Sequence, residues 1–174
     1  MKSSQALISI ESHLGDQVGR LKFAVHKISR ICEITKISSI YELSEQSESR
    51  GPSQSHPQEQ RWVNGLSVSL LVTTESSPGQ LLSQLQNIEQ QANGATRCVD
   101  IDLLVYGETS CLTPQLTLPH PEMHRRPQVL IPAAEIYGDH VHPILKESLK
   151  DLTQRFARKK WGQFYSAGHS LLDF

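Results

Sequence analysis

The chain has 174 residues, 37% of them hydrophobic, which is enough for one ordinary domain with its own core but not for two. Its net charge is −1, so the composition predicts neither nucleic-acid binding nor attraction to an anionic membrane. Three cysteines without C-x-x-C spacing, and no apolar run near the ~20 residues that cross a bilayer, indicate a protein of the reducing cytoplasm with no membrane span.

The first part of the sequence predicts a strand, a helix, a second strand and a loop. Residues 6–10 are typical of a strand, and residues 15–30 carry apolar side chains at helical spacing. Residues 33–41 alternate well enough to predict a second strand. Residues 43–60 are rich in Ser, Gln, Glu and Pro, and this composition predicts a long loop.

The second part predicts a strand, a helix, a strand and a final helix. Residues 61–73 form a long apolar pattern typical of a strand, and Ser77-Pro78 begins a helix that Asn93-Gly94 ends. Residues 99–105 alternate as a strand, and residues 113–132 are interrupted by prolines. A helix is predicted from about residue 143 to residue 158.

This order of elements predicts an α+β fold, a ferredoxin-like antiparallel sheet with helices packed on one face. Short alternating strands favour antiparallel pairing over a buried parallel sheet. We expect residues 1–158 to form a single domain and residues 159–174 to form a C-terminal appendage.

Asp100 and Asp102 are the first candidates for chemistry. Alternate residues of a strand point to the same face, about 6.5–7 Å apart, so the two carboxylates can share a face and bind a hard cation such as Mg²⁺. Arg97 lies three residues upstream, where its guanidinium could contact a phosphate. The alternative is a solvated strand face beside a surface arginine.

A second candidate is the histidine between Pro119 and Pro121. The prolines fix the backbone around His120, which suits an imidazole aimed at a phosphate, and the neighbouring pair Arg125-Arg126 could supply a guanidinium to a triphosphate. Turn and surface roles are the alternatives. A zinc site is a further hypothesis, and it would draw on His120, Glu122, His124, His140 and His142.

A third group consists of residues suited to an organic ligand. Trp62 and Asn64 would lie on one face of their strand, where an aromatic ring and an amide can stack on and hydrogen-bond a flat heterocycle, although Trp62 could equally pack in the core. Gln86 and Glu89 share a helix face that could simply be solvent-exposed. The sequence has no Walker-type phosphate loop, Rossmann glycine fingerprint or nucleophile-elbow serine.

Residues 97–107, 116–123 and 126–136 together resemble the signature of the hydroxymethyldihydropterin pyrophosphokinase (HPPK) family. The resemblance implies a ferredoxin-like fold. It also implies an enzyme of folate biosynthesis that transfers the β,γ-pyrophosphoryl unit of ATP to 6-hydroxymethyl-7,8-dihydropterin and releases AMP. On this basis we expect ATP and a pterin as small-molecule partners, and a monomer or weak homodimer.

The resemblance also implies roles for individual residues. Asp100 and Asp102 would hold two Mg²⁺ ions and form the catalytic group with Arg97. His120, Arg126 and Arg97 would contact the ATP phosphates. Gln86, Glu89 and Thr117 would line the nucleotide site. Trp62 and Asn64 would bind the pterin.

Four segments differ from the family pattern. Residues 90–96 replace a long loop that carries basic and aromatic residues in the family, and Glu11-Ser12-His13 replaces a Gly-Ser-Asn sequence. Residues 43–45 replace a proline-containing segment, and Gln128 stands where a second pterin-stacking aromatic is expected. These differences leave a second hypothesis open, a non-catalytic paralogue that binds magnesium-nucleotide or a pterin-like ligand.

Overall fold

The computed structural model describes residues 3–44 and 65–173, and all structural statements below refer to these residues. The strands are β1 (Ser4–Ser12), β2 (Glu33–Ile37), β3 (Ile40–Leu43), β4 (Leu66–Thr74), β5 (Val99–Tyr106), β6 (Cys111–Leu112), β7 (Thr117–Leu118) and β8 (Gly162–Ser166). The α-helices are α1 (Gln17–Ser29), α2 (Pro78–Asn93), α3 (Pro127–Tyr137) and α4 (Leu149–Thr153), and short 3-10 helices span Met123–Arg125, Gln154–Phe156 and Gly168–Leu172.

The main sheet is antiparallel and runs in the order β5-β1-β4-β3-β8, with β2 also paired to β4. The central strand β1 pairs with β4 from Ser4 opposite Thr74 to Ser12 opposite Leu66. On its other edge β1 pairs with β5, which places Glu11 opposite Asp100. The predicted α+β class with an antiparallel sheet is confirmed, and the strand order is the one expected of a ferredoxin-like fold.

The first face of the sheet packs against α1 and α2. Alternate residues of β1, Ala6, Ile8 and Ile10, point to this side and are at most 1% exposed. The helix starts are capped, because Asp16 accepts a hydrogen bond from Gly19 N and Ser77 forms a capping box. Burial of each large aliphatic side chain here stabilises the fold by roughly 1.5–3 kcal/mol.

Helices α1 and α2 form the layer expected on one face, and helices α3 and α4 cover the second face as well. Leu7, Leu71 and Leu104 point to this side and pack against the apolar faces of these two helices. The alternation of β1 and β4 places apolar residues on both faces, and both must therefore be covered to exclude water. A sheet in the middle of two helix layers results.

Helix α3 is not predicted by the sequence pattern, because prolines interrupt residues 113–132. Pro127 occupies the first helical turn, where its missing N–H costs nothing. Pro132 lies inside the helix and cannot donate to the carbonyl of Gln128. The hydroxyl of Ser67 on β4 donates to that carbonyl at 2.7 Å, so the freed acceptor is satisfied by the sheet.

Two other predicted elements are shorter than expected. The strand predicted over 33–41 is divided into β2 and β3, and Ser38 between them accepts a hydrogen bond from Ser69 N at 2.9 Å. The helix predicted over 143–158 begins only after Ser148, whose hydroxyl accepts from Asp151 N. Before it, the chain turns around His142, and Lys146 has a φ of 60°. That left-handed residue interrupts a helix.

The segment predicted as an appendage contributes to the sheet and the core. Strand β8 pairs with β3, and Leu171 is fully buried in the core that also contains residues of α1. Residues 45–64, most of the predicted loop and the start of the strand predicted from residue 61, lie outside the described residues. No described helix combines the length and the apolar character needed to span a bilayer.

Candidate active site

The two aspartates of β5 lie on the same face of the sheet, as the alternation predicts. Ile101 and Leu103 point into the core beneath α1 and α2, so Asp100 and Asp102 point to the side of α3. Their side chains are 14% and 24% exposed, which leaves both carboxylates open to a ligand.

Asp100 is held at the start of β5 by two neighbours. Arg97 Nη2 donates to Asp100 Oδ1 at 2.7 Å, and Nε of the same arginine donates to this oxygen at 3.0 Å. Burial would raise the pKa of Asp100, but hydrogen bonds from His13 and Arg97 overcome it and lower the pKa to about 2. Asp100 is therefore a carboxylate at every physiological pH.

Glu89 on α2 supports the same strand from behind. Its Oε2 accepts a hydrogen bond from the backbone N–H of Ile101 at 2.8 Å, between the two aspartates. Burial raises the pKa of Glu89 above its ordinary value. Glu89 therefore contacts the strand that carries Asp100 and Asp102 through a backbone hydrogen bond.

Arg126 precedes α3 and faces strands β1 and β5. Its Nη1 donates to Asp102 Oδ2 at 3.2 Å, and its Nη2 donates to Glu11 Oε1 on β1. The residue is only 8% exposed. Burial lowers the pKa of Arg126, but Glu11 and Asp102 more than offset this, so the guanidinium stays charged.

Glu11 and His13 belong to the site, although neither lies in a recognisable sequence motif. His13 Nε2 lies 3.7 Å from both Glu11 Oε2 and Asp100 Oδ2. His13 is 3% exposed and Glu11 is 4% exposed. Gly65 leaves room for this imidazole, because a Cβ there would lie 2.5 Å from Nδ1. The available signal in the sequence was an acidic residue that directly follows the mainly apolar residues 6–10.

His120 completes the group from the segment after β7. The Leu118–Pro119 peptide is cis, and the backbone N–H of His120 donates to Leu104 O at 2.8 Å. Its Nδ1 accepts a hydrogen bond from Glu122 N at 3.2 Å, which leaves the proton of a neutral ring on Nε2. That nitrogen lies 3.7 Å from Asp102 Oδ1.

The other predicted site residues lie on α2, on β7 or outside the described residues. Gln86 is exposed on α2, and Thr117 lies in the short β6–β7 hairpin opposite Leu112. Trp62 and Asn64 lie outside the described residues.

The histidines considered for zinc are placed differently. His124 and His142 have ring centroids 6.1 Å apart, and His140 stacks on Tyr137. Within residues 3–44 and 65–173, no group of three or more His, Cys, Asp or Glu side chains is arranged to hold a metal ion. The zinc hypothesis therefore gains no support from the described part of the chain.

The donor set fits magnesium in company with phosphate. Asp100 and Asp102 are hard oxygen donors, and Mg²⁺ is usually bound by one or two carboxylates with substrate phosphates and water in its other positions. Arg97, Arg126 and His120 border the same carboxylates and suit phosphate oxygens. The arrangement can thus bind a polyphosphate through metal and guanidinium together.

Comparisons with known proteins give one consistent family. The model of the family described as "7,8-dihydro-6-hydroxymethylpterin-pyrophosphokinase (HPPK)" matches residues 7–138. The 2-amino-4-hydroxy-6-hydroxymethyldihydropteridine pyrophosphokinase of Haemophilus influenzae is 32% identical over 163 residues, which cover 89% of this chain and 94% of that protein. The enzyme of the same name from a Synechocystis species is 33% identical over 146 residues, 79% of this chain and 69% of that one.

Solved structures show the same fold. The crystal structure of wild-type Plasmodium falciparum HPPK-DHPS matches with a TM-score of 0.69 and 13% sequence identity. The match covers 89% of this chain and 45% of the Plasmodium chain, so this chain spans about half the length of that protein.

Proposed function

This chain belongs to the 7,8-dihydro-6-hydroxymethylpterin-pyrophosphokinase family, and we propose that it transfers the β,γ-pyrophosphoryl group of ATP to the hydroxymethyl group of 6-hydroxymethyl-7,8-dihydropterin. As a member of this family it is a transferase of folate biosynthesis. The observation that carries the proposal is that each of the two aspartates is paired with an arginine, Asp100 with Arg97 and Asp102 with Arg126.

The proposed reaction is a substitution at the β-phosphorus of ATP. The hydroxymethyl oxygen of the pterin bonds to this phosphorus, and the bond from the phosphorus to the oxygen bridging the α- and β-phosphates breaks. AMP leaves with that oxygen, and the hydroxyl proton passes to solvent or to a nearby base. The protein contributes mainly alignment of the two substrates and stabilisation of charge.

Asp100 and Asp102 are the proposed magnesium ligands, and we propose two ions, as the family resemblance implies. When bound, magnesium neutralises charge on the phosphates and helps to align the acceptor hydroxyl. The low pKa of Asp100 supports this role, because the ligand needs no deprotonation before it binds a cation.

Arg97, His120 and Arg126 are the proposed phosphate-binding residues. Arg97 is 62% exposed at its side chain, so it can turn from Asp100 towards a phosphate at little cost. His120 Nε2 lies 3.7 Å from Asp102 Oδ1 on a partly exposed side chain, and an N–H there can donate to a phosphate oxygen. Arg126 is buried and preoriented by Asp102.

The remaining residues are proposed to shape the two substrate sites. Gln86, Glu89 and Thr117 would line the nucleotide site, and Glu89 would do so by holding the backbone of Ile101. Trp62 and Asn64 would stack on and hydrogen-bond the pterin. A domain of residues 1–158 remains part of the proposal, with residues 159–174 added to its sheet edge.

The short connection between α2 and β5 supports a second candidate function. Helix α2 ends at Asn93 and β5 begins at Val99, and the Asn93 side chain bonds the backbone of Cys98 and Val99. A segment tied down in this way is poorly suited to close over ATP as a lid. The second candidate is therefore a protein that binds magnesium-nucleotide without transferring pyrophosphate.

We also propose a cytoplasmic location and a monomeric or weakly dimeric state. Cys32, Cys98 and Cys111 are free thiols, which fits a reducing compartment. Gel filtration across a hundredfold range of concentration tests the oligomeric state, and the proposal is wrong if a stable dimer persists at nanomolar protein.

Pterin-dependent formation of AMP distinguishes the two candidates. The protein is incubated with ATP, Mg²⁺ and 6-hydroxymethyl-7,8-dihydropterin, and the nucleotides are separated by chromatography. AMP that appears only when pterin is present supports the transferase. Calorimetric binding of a magnesium-ATP analogue without any AMP supports the binding protein instead.

A further inference from the structure

We infer that Glu11 is an internal competitor for the phosphate-binding arginine, so that ATP must displace it from Arg126. Glu11 is thereby a positioning residue that sets the affinity for the nucleotide. The inference rests on the proposed function, because it takes a nucleotide phosphate as the ligand of Arg126.

The contact between Glu11 and Arg126 is a buried ion pair across two layers of the fold. Glu11 extends from β1 towards α3, and Arg126 Nη2 donates to its Oε1. The two residues are 4% and 8% exposed. Opposite charges with so little water around them attract strongly, and either one left without its partner is costly.

Arg126 has two carboxylate partners, and they differ in access to solvent. The side chain of Asp102 is 24% exposed, whereas that of Glu11 is 5% exposed. A hydrated magnesium ion therefore reaches Asp102 far more readily than it reaches Glu11. Once a metal occupies Asp102, Glu11 is the carboxylate that still holds Arg126.

Arg126 also has a hydrogen-bond donor that is not used within the described residues. Its Nε is buried and makes no hydrogen bond within the described residues. A guanidinium binds a phosphate best through two parallel N–H groups, either those of Nη1 and Nη2 or those of Nε and Nη2. Asp102 accepts from Nη1 and Glu11 accepts from Nη2, so a phosphate that binds across these two nitrogens requires Glu11 to give way.

Glu11 has an alternative partner when this exchange occurs. His13 Nε2 lies 3.7 Å from Glu11 Oε2 and 3.7 Å from Asp100 Oδ2, so the imidazole is close to both carboxylates. Glu11 can remain beside this ring after it loses Arg126. The exchange is thus possible within the existing side-chain cluster.

The test measures the affinity for a non-hydrolysable magnesium-ATP analogue by calorimetry. Glu11→Gln keeps the size of the side chain and removes its charge, so we expect affinity to rise about tenfold, a change of roughly 1.4 kcal/mol in binding free energy. The same variant should have a lower melting temperature without ligand, because Arg126 loses a buried partner. If Glu11 only stabilised the fold, Glu11→Gln would lower both the melting temperature and the affinity for the analogue.

Glu147→Gln is the matched control. It also removes the charge of a glutamate paired with an arginine, since Arg155 Nη2 donates to Glu147 Oε1 at 2.6 Å, but this pair is exposed and outside the site. Its affinity should equal that of the unaltered protein. Glu11→Asp, which keeps the charge but withdraws the carboxylate, should give an intermediate rise and serves if Glu11→Gln does not fold.

An Arg126→Gln background shows whether Glu11 acts through Arg126. In this background, thermal stabilisation by millimolar analogue should be the same with Glu11 or Gln at position 11. The inference is overturned if Glu11→Gln leaves affinity unchanged or lowers it, or if the gain persists without Arg126. If neither the unaltered protein nor any variant binds the analogue, the proposed function fails, and the inference fails with it.

Discussion

At the residue scale, the proposed catalysis depends on how a few charged side chains are paired with one another. Asp100 and Asp102 differ in their partners, Asp100 with Arg97 and Asp102 with Arg126 and His120. Each carboxylate is close to a cation that can turn to a phosphate. The site therefore needs little rearrangement of its backbone to accept a metal and a polyphosphate.

Replacement of Asp102 by Asn tests the metal assignment. The amide keeps the shape of the side chain but lacks the charge that a hard cation requires, so we expect kcat/KM for ATP to fall by at least about 100-fold. Magnesium-dependent binding of a nucleotide analogue should be lost in parallel. Asp139→Asn, at an exposed position before His140, is the control and should change neither. Unaltered magnesium dependence in Asp102→Asn would refute the assignment.

Three histidines outside the site predict how stability depends on pH. Burial holds the pKa values of His124, His140 and His142 below the ordinary 6.5. Below pH 6.5 the unfolded chain therefore binds more protons than the folded protein, and acid favours unfolding. The contribution is complete above this pH and is lost as the pH falls.

His142 gives a direct test of this pH dependence. Its Nδ1 accepts hydrogen bonds from Ile144 N and Leu145 N at 3.3 and 3.2 Å, and a proton on that nitrogen would break both. We expect the free energy of unfolding, measured with urea, to fall between pH 7.5 and 5.5. His142→Asn, which keeps an acceptor that does not titrate, should flatten this fall, whereas exposed His169→Asn should not. An equal slope in both variants contradicts the explanation.

At the scale of the element, the strand β5 positions the site because helix α2 fixes the part of the strand that carries the two aspartates. Its start is bound by Asn93 at the end of α2, and its middle by Glu89 of the same helix. The alternation within β5 was readable from the sequence, since a period of two places both aspartates on one side. The support from α2 was not, because it comes from hydrogen bonds between segments that the periodicity does not relate.

Asn93→Ala tests the connection between α2 and β5. Asn93 Oδ1 accepts from Cys98 N and Val99 N at 2.7 Å each, and its Nδ2 donates to Val99 O at 2.9 Å. Removal of these bonds should lower the free energy of unfolding by about 1–3 kcal/mol. It should also weaken nucleotide binding, because Asp100 follows directly. The exposed Asn87→Ala should change stability by less than about 0.5 kcal/mol, and an equal loss in the two variants would argue against a special role for Asn93.

The features that the sequence did not predict were missed for one physical reason. Helix α3 contains Pro132, and its apolar residues are so numerous that no polar face marks a helical period. The interior proline is tolerated because Ser67 on a distant strand bonds the free carbonyl. Such compensation is a tertiary effect, so a local pattern cannot show it. The sequence likewise shows Glu11 only as a difference from the family pattern. Its contact could not be predicted, because its partner Arg126 is remote in sequence.

For the whole molecule, the fold is a sheet between two helix layers, and the chain termini contribute to it. The strand order and the first helix layer follow from the sequence pattern, whereas the second layer and β8 depend on packing that short or proline-containing segments do not reveal. The site lies on the α3 side of the sheet, where β1, β5 and the start of α3 meet. Stability of both layers is therefore needed to keep the charged cluster together.

Leu171→Ala tests whether the C-terminal segment belongs to the core. Leu171 is fully buried, and its replacement should lower the free energy of unfolding by about 2–5 kcal/mol through lost burial and a cavity. The neighbouring Leu172 is 36% exposed, so Leu172→Ala should cost much less. Equal and small losses in both would show that residues 159–174 are the independent appendage that the sequence pattern predicts.

The central claim is that the site transfers a pyrophosphoryl group and not a single phosphoryl group. ATP that carries a radioactive label only in its β-phosphate distinguishes the two directly when it is incubated with Mg²⁺, 6-hydroxymethyl-7,8-dihydropterin and the protein. We predict that the label moves to the pterin product and that unlabelled AMP forms in equal amount. Label that remains in ADP, or that stays in ATP despite bound nucleotide and pterin, would contradict the claim.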